Sequence, residues 1–224
     1  IFIHHDNLYL RNIAWGLNQI SYGSEDGLYI NGHVTGNSPY LTFEWKAGKD
    51  GEHHEVKTQL IGEYNFANAL AAVTIGHFFD VESGKIDTAL KEYTPQNNRS
   101  QLKQTADNTL IIDAYNANPT SMQASISNFH NMEIDNKMLI LGDMRELGKD
   151  GPKEHQKIVD FLTECGFKDV MLVGEQFAAA RHDFPTYPDA PAVIEALQKN
   201  KPHGKTILIK GSNGIKLSTV IDYL

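Results

Sequence analysis

Four short apolar runs constrain this chain more than any other feature. They are TLIIDA (Thr109–Ala114), KMLILGD (Lys137–Asp143), DVMLVG (Asp169–Gly174) and TILIKGS (Thr206–Ser212). Each is too short for a typical helix, and none shows the polar–apolar alternation of a half-exposed strand, so each reads as a strand buried on both faces. The stretches between them have helical spacing and predict helices over Pro119–Asn131, Pro152–Cys165 and Ala190–Asn200. Strands alternating with helices call for a mainly parallel sheet with helices on both faces, so the predicted fold class is α/β.

The first third reads differently. Leu28–Val34, Tyr40–Ala47 and His53–Leu60 are strand-like runs separated by Gly, Asn, Ser and Pro, which predicts a small antiparallel unit. From Asn65 the period becomes helical, with Phe66, Ala69, Leu70, Val73 and His77 on one face, and IDTALKEY predicts a second helix. The polar break TPQNNRS (Thr94–Ser100) sets the expected domain boundary, giving residues 1–96 and 97–224. The opening IFIHHD lacks a starting Met and reads as a strand already under way, so a piece of a longer protein is expected.

Composition narrows the function classes. A net charge of −8 and a pI near 5.6 argue against a nucleic-acid surface, which needs clustered positive charge. No apolar run approaches the roughly 20 residues that span a bilayer. The single Cys165 excludes a disulfide framework and fits a reducing cytoplasm, and its place near the end of an amphipathic helix makes it a core residue.

In open parallel sheets, ligands gather at the carboxyl ends of the strands, beside helix N-termini. IIDAYNANPTSM (Ile111–Met122) has that position. Asn118 is suited to cap the next helix and Pro119 to begin it, which leaves Asp113, Tyr115 and Asn116 in a loop at the ligand edge. Asp113 could accept hydrogen bonds from a ribose diol or simply stabilise the turn. In GEYNFANALAA, Asn65 and Asn68 share a helix face and could read an adenine edge; taken alone, Asn65 reads first as a cap. Arg99, in NNRSQ, could clamp phosphate with its paired donors or be solvated. LGDMRELG carries Asp143, Arg145 and Glu146 out of a strand, as a substrate loop or a capped turn.

Other motifs fail on spacing. HGKT (His203–Thr206) resembles a P-loop ending, but Lys199 stands where its first glycine should be, and the run leads into a strand. His4-His5-Asp6 and His53-His54 place neighbours on opposite strand faces, so no metal site is expected from them. A dinucleotide-binding module would need a glycine-rich turn after TLIIDA, where this chain has YNANP.

Taken in order, GEYNFANALAA, NNRSQ, IIDAYNANPTSM, LGDMRELG and IKGSNGIKLSTVI resemble the Mur ligase family. The YNANP loop points to the member that joins D-alanyl-D-alanine to a UDP-N-acetylmuramoyl-tripeptide in the cytoplasm. The resemblance implies the later part of a central ATP-binding domain over residues 1–96, with antiparallel strands and helices, and a Rossmann-like C-terminal domain over 97–224. It implies ATP and Mg²⁺ as cofactors, a monomer, and an acyl phosphate attacked by the incoming amine. It assigns Asn65 and Asn68 to adenine, Arg99 to the phosphates, Asp113 to the ribose, and Tyr115, Asn116, Asn118 and Arg145 to substrate. The family's P-loop, magnesium-binding Glu and His and carbamylated Lys belong upstream of the matching segment, so this segment alone is expected to be inactive. A folylpolyglutamate synthase or another amide ligase of the same superfamily is the alternative.

Overall fold

The computed structural model describes residues 1–96 and 98–224 of the chain. The chain divides into two compact units, Ile1–Thr94 and Pro95–Leu224. The boundary expected from the sequence, between residues 96 and 97, falls at Asn97, which lies outside the described residues.

The first unit contains β1 (Phe2–His4), α1 (Leu8–Ile13), β2 (Ile20–Gly23), β3 (Ile30–Asn37), β4 (Tyr40–Ala47), β5 (His54–Ile61), α2 (Phe66–Phe78) and α3 (Ser83–Glu92). The strands form one sheet in chain order. Only β3, β4 and β5 pair antiparallel, whereas β1–β2 and β2–β3 are parallel. The antiparallel unit read from the sequence is therefore present as β3–β5, and the parallel β1 and β2 extend it into a mixed sheet. Strands of three and four residues such as β1 and β2 carry too little pattern to announce a direction. In β4, Leu41, Phe43 and Trp45 alternate inward and are buried. Ala69, Leu70 and Val73 of α2 and Ile86 of α3 close over them. Asp87 of α3 accepts from Trp45 Nε1 and contacts His54 Nδ1, each at 2.8 Å, so one carboxylate ties the helix to two strands.

The second unit contains β6 (Gln101–Gln104), β7 (Thr109–Asp113), α4 (Pro119–Asn131), β8 (Lys137–Gly142), α5 (Gly151–Glu164), β9 (Val170–Val173), α6 (Glu175–Ala179), β10 (Thr186–Tyr187), α7 (Ala190–Lys199) and β11 (Thr206–Lys210). The sheet order is β10-β9-β8-β11-β7-β6, parallel except for β6 against β7. Leu110, Ile112, Met138, Ile140, Ile207 and Ile209 pack on one face with Val193 and Leu197 of α7. The residues of opposite parity, Ile111, Leu139, Leu141 and Leu208, are buried as well, so both faces are covered. This is the α/β fold with a mainly parallel sheet that the four apolar runs predict.

Helix starts follow local chemistry. Asn118 has extended backbone, and its Oδ1 accepts the Ser121 N–H at 2.8 Å, while Ser121 Oγ accepts the Asn118 N–H at 3.2 Å. Pro119 takes the first position of α4, where a missing N–H costs nothing. Asp189 caps α7 by accepting from Ala192 N–H at 3.0 Å. Asn118→Ala is expected to destabilise the second unit by about 1 kcal/mol, the ordinary cost of a lost cap, measurable by urea unfolding.

Candidate functional site

Three loops meet at the carboxyl edge of the second sheet: residues 114–118 after β7, 143–150 after β8 and 211–216 after β11. The middle strand holds the other two together. Lys210 ends β11 in register with Asp113 at the end of β7. Its side chain is buried, and Nζ donates to Asp113 Oδ2 at 2.5 Å and to the Asn116 carbonyl at 3.4 Å. Two residues on, Ser212 donates from Oγ to the Ala117 carbonyl at 3.4 Å and accepts the Arg145 N–H at 2.8 Å. Its own N–H donates to the Asp143 carbonyl at 3.2 Å. One short segment thus fixes the backbone of both neighbouring loops.

In the β7 loop, Ala114 and Ala117 are buried, and between them Tyr115 and Asn116 turn outward. Asn116 Oδ1 accepts the Ala117 N–H at 2.9 Å. Arg99 Cζ lies 3.9 Å from the Tyr115 ring centroid, a cation–π contact that sets a guanidinium beside the loop. Ser100 N–H reaches Asp113 Oδ1 at 3.3 Å.

The β8 loop borders a cleft of about 620 Å³ lined by Met144, Arg145, Glu146, Glu175, Gln176 and Ile215, among others. The Arg145 guanidinium lies over Gly214, where a Cβ would stand 2.3 Å from Nη1 and would push the guanidinium aside. Glu146 has a φ of +69°, an uncommon value for a side chain of this kind, and such outliers cluster at functional sites. Asp143 also borders this cleft, and its carboxylate is engaged by backbone. Its carboxylate accepts from the Gln176 and Phe177 N–H groups, each at 3.0 Å, so it serves the first turn of α6.

The model of the "Mur ligase, glutamate ligase domain" family matches residues 98–213, just over half of the chain, and spans Arg99, the β7 and β8 loops and Lys210. The chain belongs to the Mur ligase family. A relative from Synechocystis sp., named UDP-N-acetylmuramoyl-tripeptide–D-alanyl-D-alanine ligase, is 26% identical over 99% of this Mur ligase chain and 49% of its own length. One of the same name from Bacillus subtilis is 28% identical over 83% of this chain and 44% of its own. The chain thus spans about half the length of these relatives. Its fold is similar to that of the MurF ligase from Thermotoga maritima solved in complex with ADP, with a TM-score of 0.80, 18% identity, and coverage of 99% of this chain and 52% of that one.

Against the expectations from sequence, Arg99, Asp113, Tyr115, Asn116, Asn118 and Arg145 of this Mur ligase all lie in the second unit, at or beside the three loops. Asn118 is engaged as a cap. In the first unit, Asn65 occupies the cap position of α2 but makes no side-chain cap; its Nδ2 donates to the Ile61 carbonyl at 2.8 Å. The cap alternative for Asn65 is corrected accordingly, because its backbone is already helical. Asn68 Nδ2 reaches Asn65 Oδ1 at 3.4 Å, and its side chain is exposed on the same helix face. Cys165 is half-buried at the end of α5, so the core placement read from the sequence is corrected; burial and the Glu164 charge push its thiol up, which does not suit a nucleophile.

Lys210, Ser212 and His155 were not singled out from the sequence. For Lys210 a signal existed: a lone cation ending the apolar run TILIK, as Asp113 ends TLIID. His155 sits at helical spacing with Ile158, Val159 and Leu162, on the apolar face of α5.

Proposed function

We propose that this segment is part of an ATP-dependent peptidoglycan-precursor ligase that joins D-alanyl-D-alanine to a UDP-N-acetylmuramoyl-tripeptide. The observation that carries the reading is the cleft beside the β8 loop, which offers Arg145 together with Glu146 and Glu175. A dipeptide is a zwitterion. A guanidinium complements its carboxylate with paired donors, and a carboxylate complements its ammonium. The names of the relatives supply the identity of the dipeptide and of its acceptor.

In this reading residues 1–96 are the later part of the central ATP-binding domain and 97–224 the C-terminal domain of a cytoplasmic, monomeric enzyme. ATP transfers its terminal phosphoryl group to the tripeptide carboxylate; the dipeptide amine then forms the C–N bond as the acyl C–O bond breaks and inorganic phosphate leaves. The chain's own part is to bind and orient. Arg145 holds the dipeptide carboxylate, and Tyr115, Asn116 and Asn118 shape the neighbouring loop. For the nucleotide, Asn68 with Asn65 is assigned to adenine and Arg99 to the phosphates. Asp113 keeps lone pairs beyond those used by Lys210 and Ser100, enough to accept from a ribose hydroxyl. Among the described residues no group of three or more His, Cys, Asp or Glu side chains could hold a metal ion, so the Mg²⁺ of this reaction is assigned to no residue here.

The test uses the full-length ligase to which we assign this segment. Phosphate release is measured with D-alanyl-D-alanine, single amino acids and glutamate as amines. The dipeptide is expected to be the efficient substrate. Arg145→Ala is expected to raise its KM by about tenfold to a hundredfold, the worth of a charge-assisted hydrogen bond, and to leave the KM for ATP unchanged. Preference for glutamate would move the assignment to a folylpolyglutamate-type ligase, and an unchanged dipeptide KM would remove Arg145 from the site.

A further inference from the structure

We propose that His155 is the positioning residue that sets the rim of the cleft beside Arg145; the catalytic consequence rests on the function proposed above. The β8 loop leaves the sheet at Asp143 and re-enters regular structure at Gly151, the first residue of α5. A single imidazole touches both ends. The Met144 N–H donates to His155 Nε2 at 3.0 Å, and Nδ1 lies 2.7 Å from the Gly151 carbonyl.

These two contacts fix the tautomer. A backbone N–H can only donate, so Nε2 presents its lone pair; a carbonyl can only accept, so the ring proton is on Nδ1. The ring is fully buried, and Phe177 of α6 packs edge-on against it with centroids 4.7 Å apart. Asp143 Oδ1 stands 3.5 Å from Nε2, and that carboxylate is committed to the first turn of α6. The imidazole therefore joins the end of β8, the start of α5 and the start of α6.

The place of this clamp in the loop gives it a function. Met144 immediately precedes Arg145, whose own N–H is held by Ser212. Two successive peptide N–H groups are thus fixed, one by His155 and one by Ser212. The Arg145 side chain departs from between them into the cleft. A packing residue of similar size would fill the space but leave the Met144 N–H without an acceptor, and the rim would reorient to find one.

Two variants separate the clamp from the packing. In His155→Gln the side-chain oxygen reaches the place of Nε2 and can accept from Met144. In His155→Asn the shorter amide reaches only the place of Nδ1 and keeps the Gly151 contact. Hydrogen exchange on the 224-residue chain is expected to show faster exchange at Met144 in the Asn variant and wild-type protection in the Gln variant. In the full-length ligase, His155→Asn is expected to raise the KM for the dipeptide about tenfold to a hundredfold, as small misplacements of binding groups do, with the KM for ATP unchanged and His155→Gln restoring it. Equal behaviour of the two variants, or parallel changes in both KM values, would overturn the proposal. Should the Asn variant not fold, loss of Met144 protection in the Gln variant overturns it by itself. A wild-type ligase that refuses the dipeptide would sink the functional reading instead, and the exchange experiment would still decide the clamp.

Discussion

Lys210→Met is expected to destabilise the Pro95–Leu224 unit by about 3–5 kcal/mol, the cost of removing one partner from a buried ion pair. Lys210 is 1% exposed and Asp113 14% exposed, so the carboxylate left behind could regain little water. It would keep the Ser100 N–H at 3.3 Å. The same change removes the cation from the Asn116 carbonyl, so the loop after β7 should loosen along with the core. Removing both charges, as Lys210→Met with Asp113→Leu, is expected to recover most of the loss, because a pair replaced by apolar groups no longer carries a desolvation cost. Denaturant unfolding of the two single variants and the double variant forms the cycle. A loss below about 1 kcal/mol for Lys210→Met, the range of exposed pairs, would mean that water reaches the pair freely.

The second large effect is expected at Gly174→Ala. Gly174 links β9 to α6 with a φ of +120°, a backbone conformation that only glycine adopts without strain. A Cβ there would stand 2.3 Å from Asp143 Cγ and Oδ2. Asp143 would have to release the Gln176 and Phe177 N–H groups, and with them its place beside His155. We expect a loss of about 3 kcal/mol, the upper end for a strained residue, read as a lower midpoint in thermal unfolding. A variant as stable as the parent would show that Asp143 has another resting place of equal energy.

The architecture of the second unit was legible because its strands are buried on both faces, which removes alternation and leaves unbroken apolar runs such as KMLILGD. The start of α4 was legible for a local reason: Asn118 and Pro119 act on their own neighbours. The existence of β2 and the parallel pairing of β1 with it were not, since strands of three and four residues record burial but hardly any partner. The short β6 and β10 and the five-residue α6 were missed on the same ground. The loops of the site could be placed at the carboxyl edge from the strand–helix order. What holds them could not, because Lys210 and Asp113 are 97 residues apart in the chain and meet only through the sheet order. Asp143 illustrates the limit well. Its position at a strand end read equally as part of a substrate loop or of a capped turn, and the helix it serves begins more than thirty residues later.

The sheet order has a consequence for how this unit is made. β11 follows the other five strands of this sheet in the chain yet lies between β7 and β8, which do not pair with each other. A nascent chain that has reached α7 therefore holds two partial sheets, each with an unpaired apolar edge awaiting the same insert. Such edges invite association with other chains. Arrival of a single five-residue segment closes that hazard and, through Lys210 and Ser212, finishes the ligand edge in the same event.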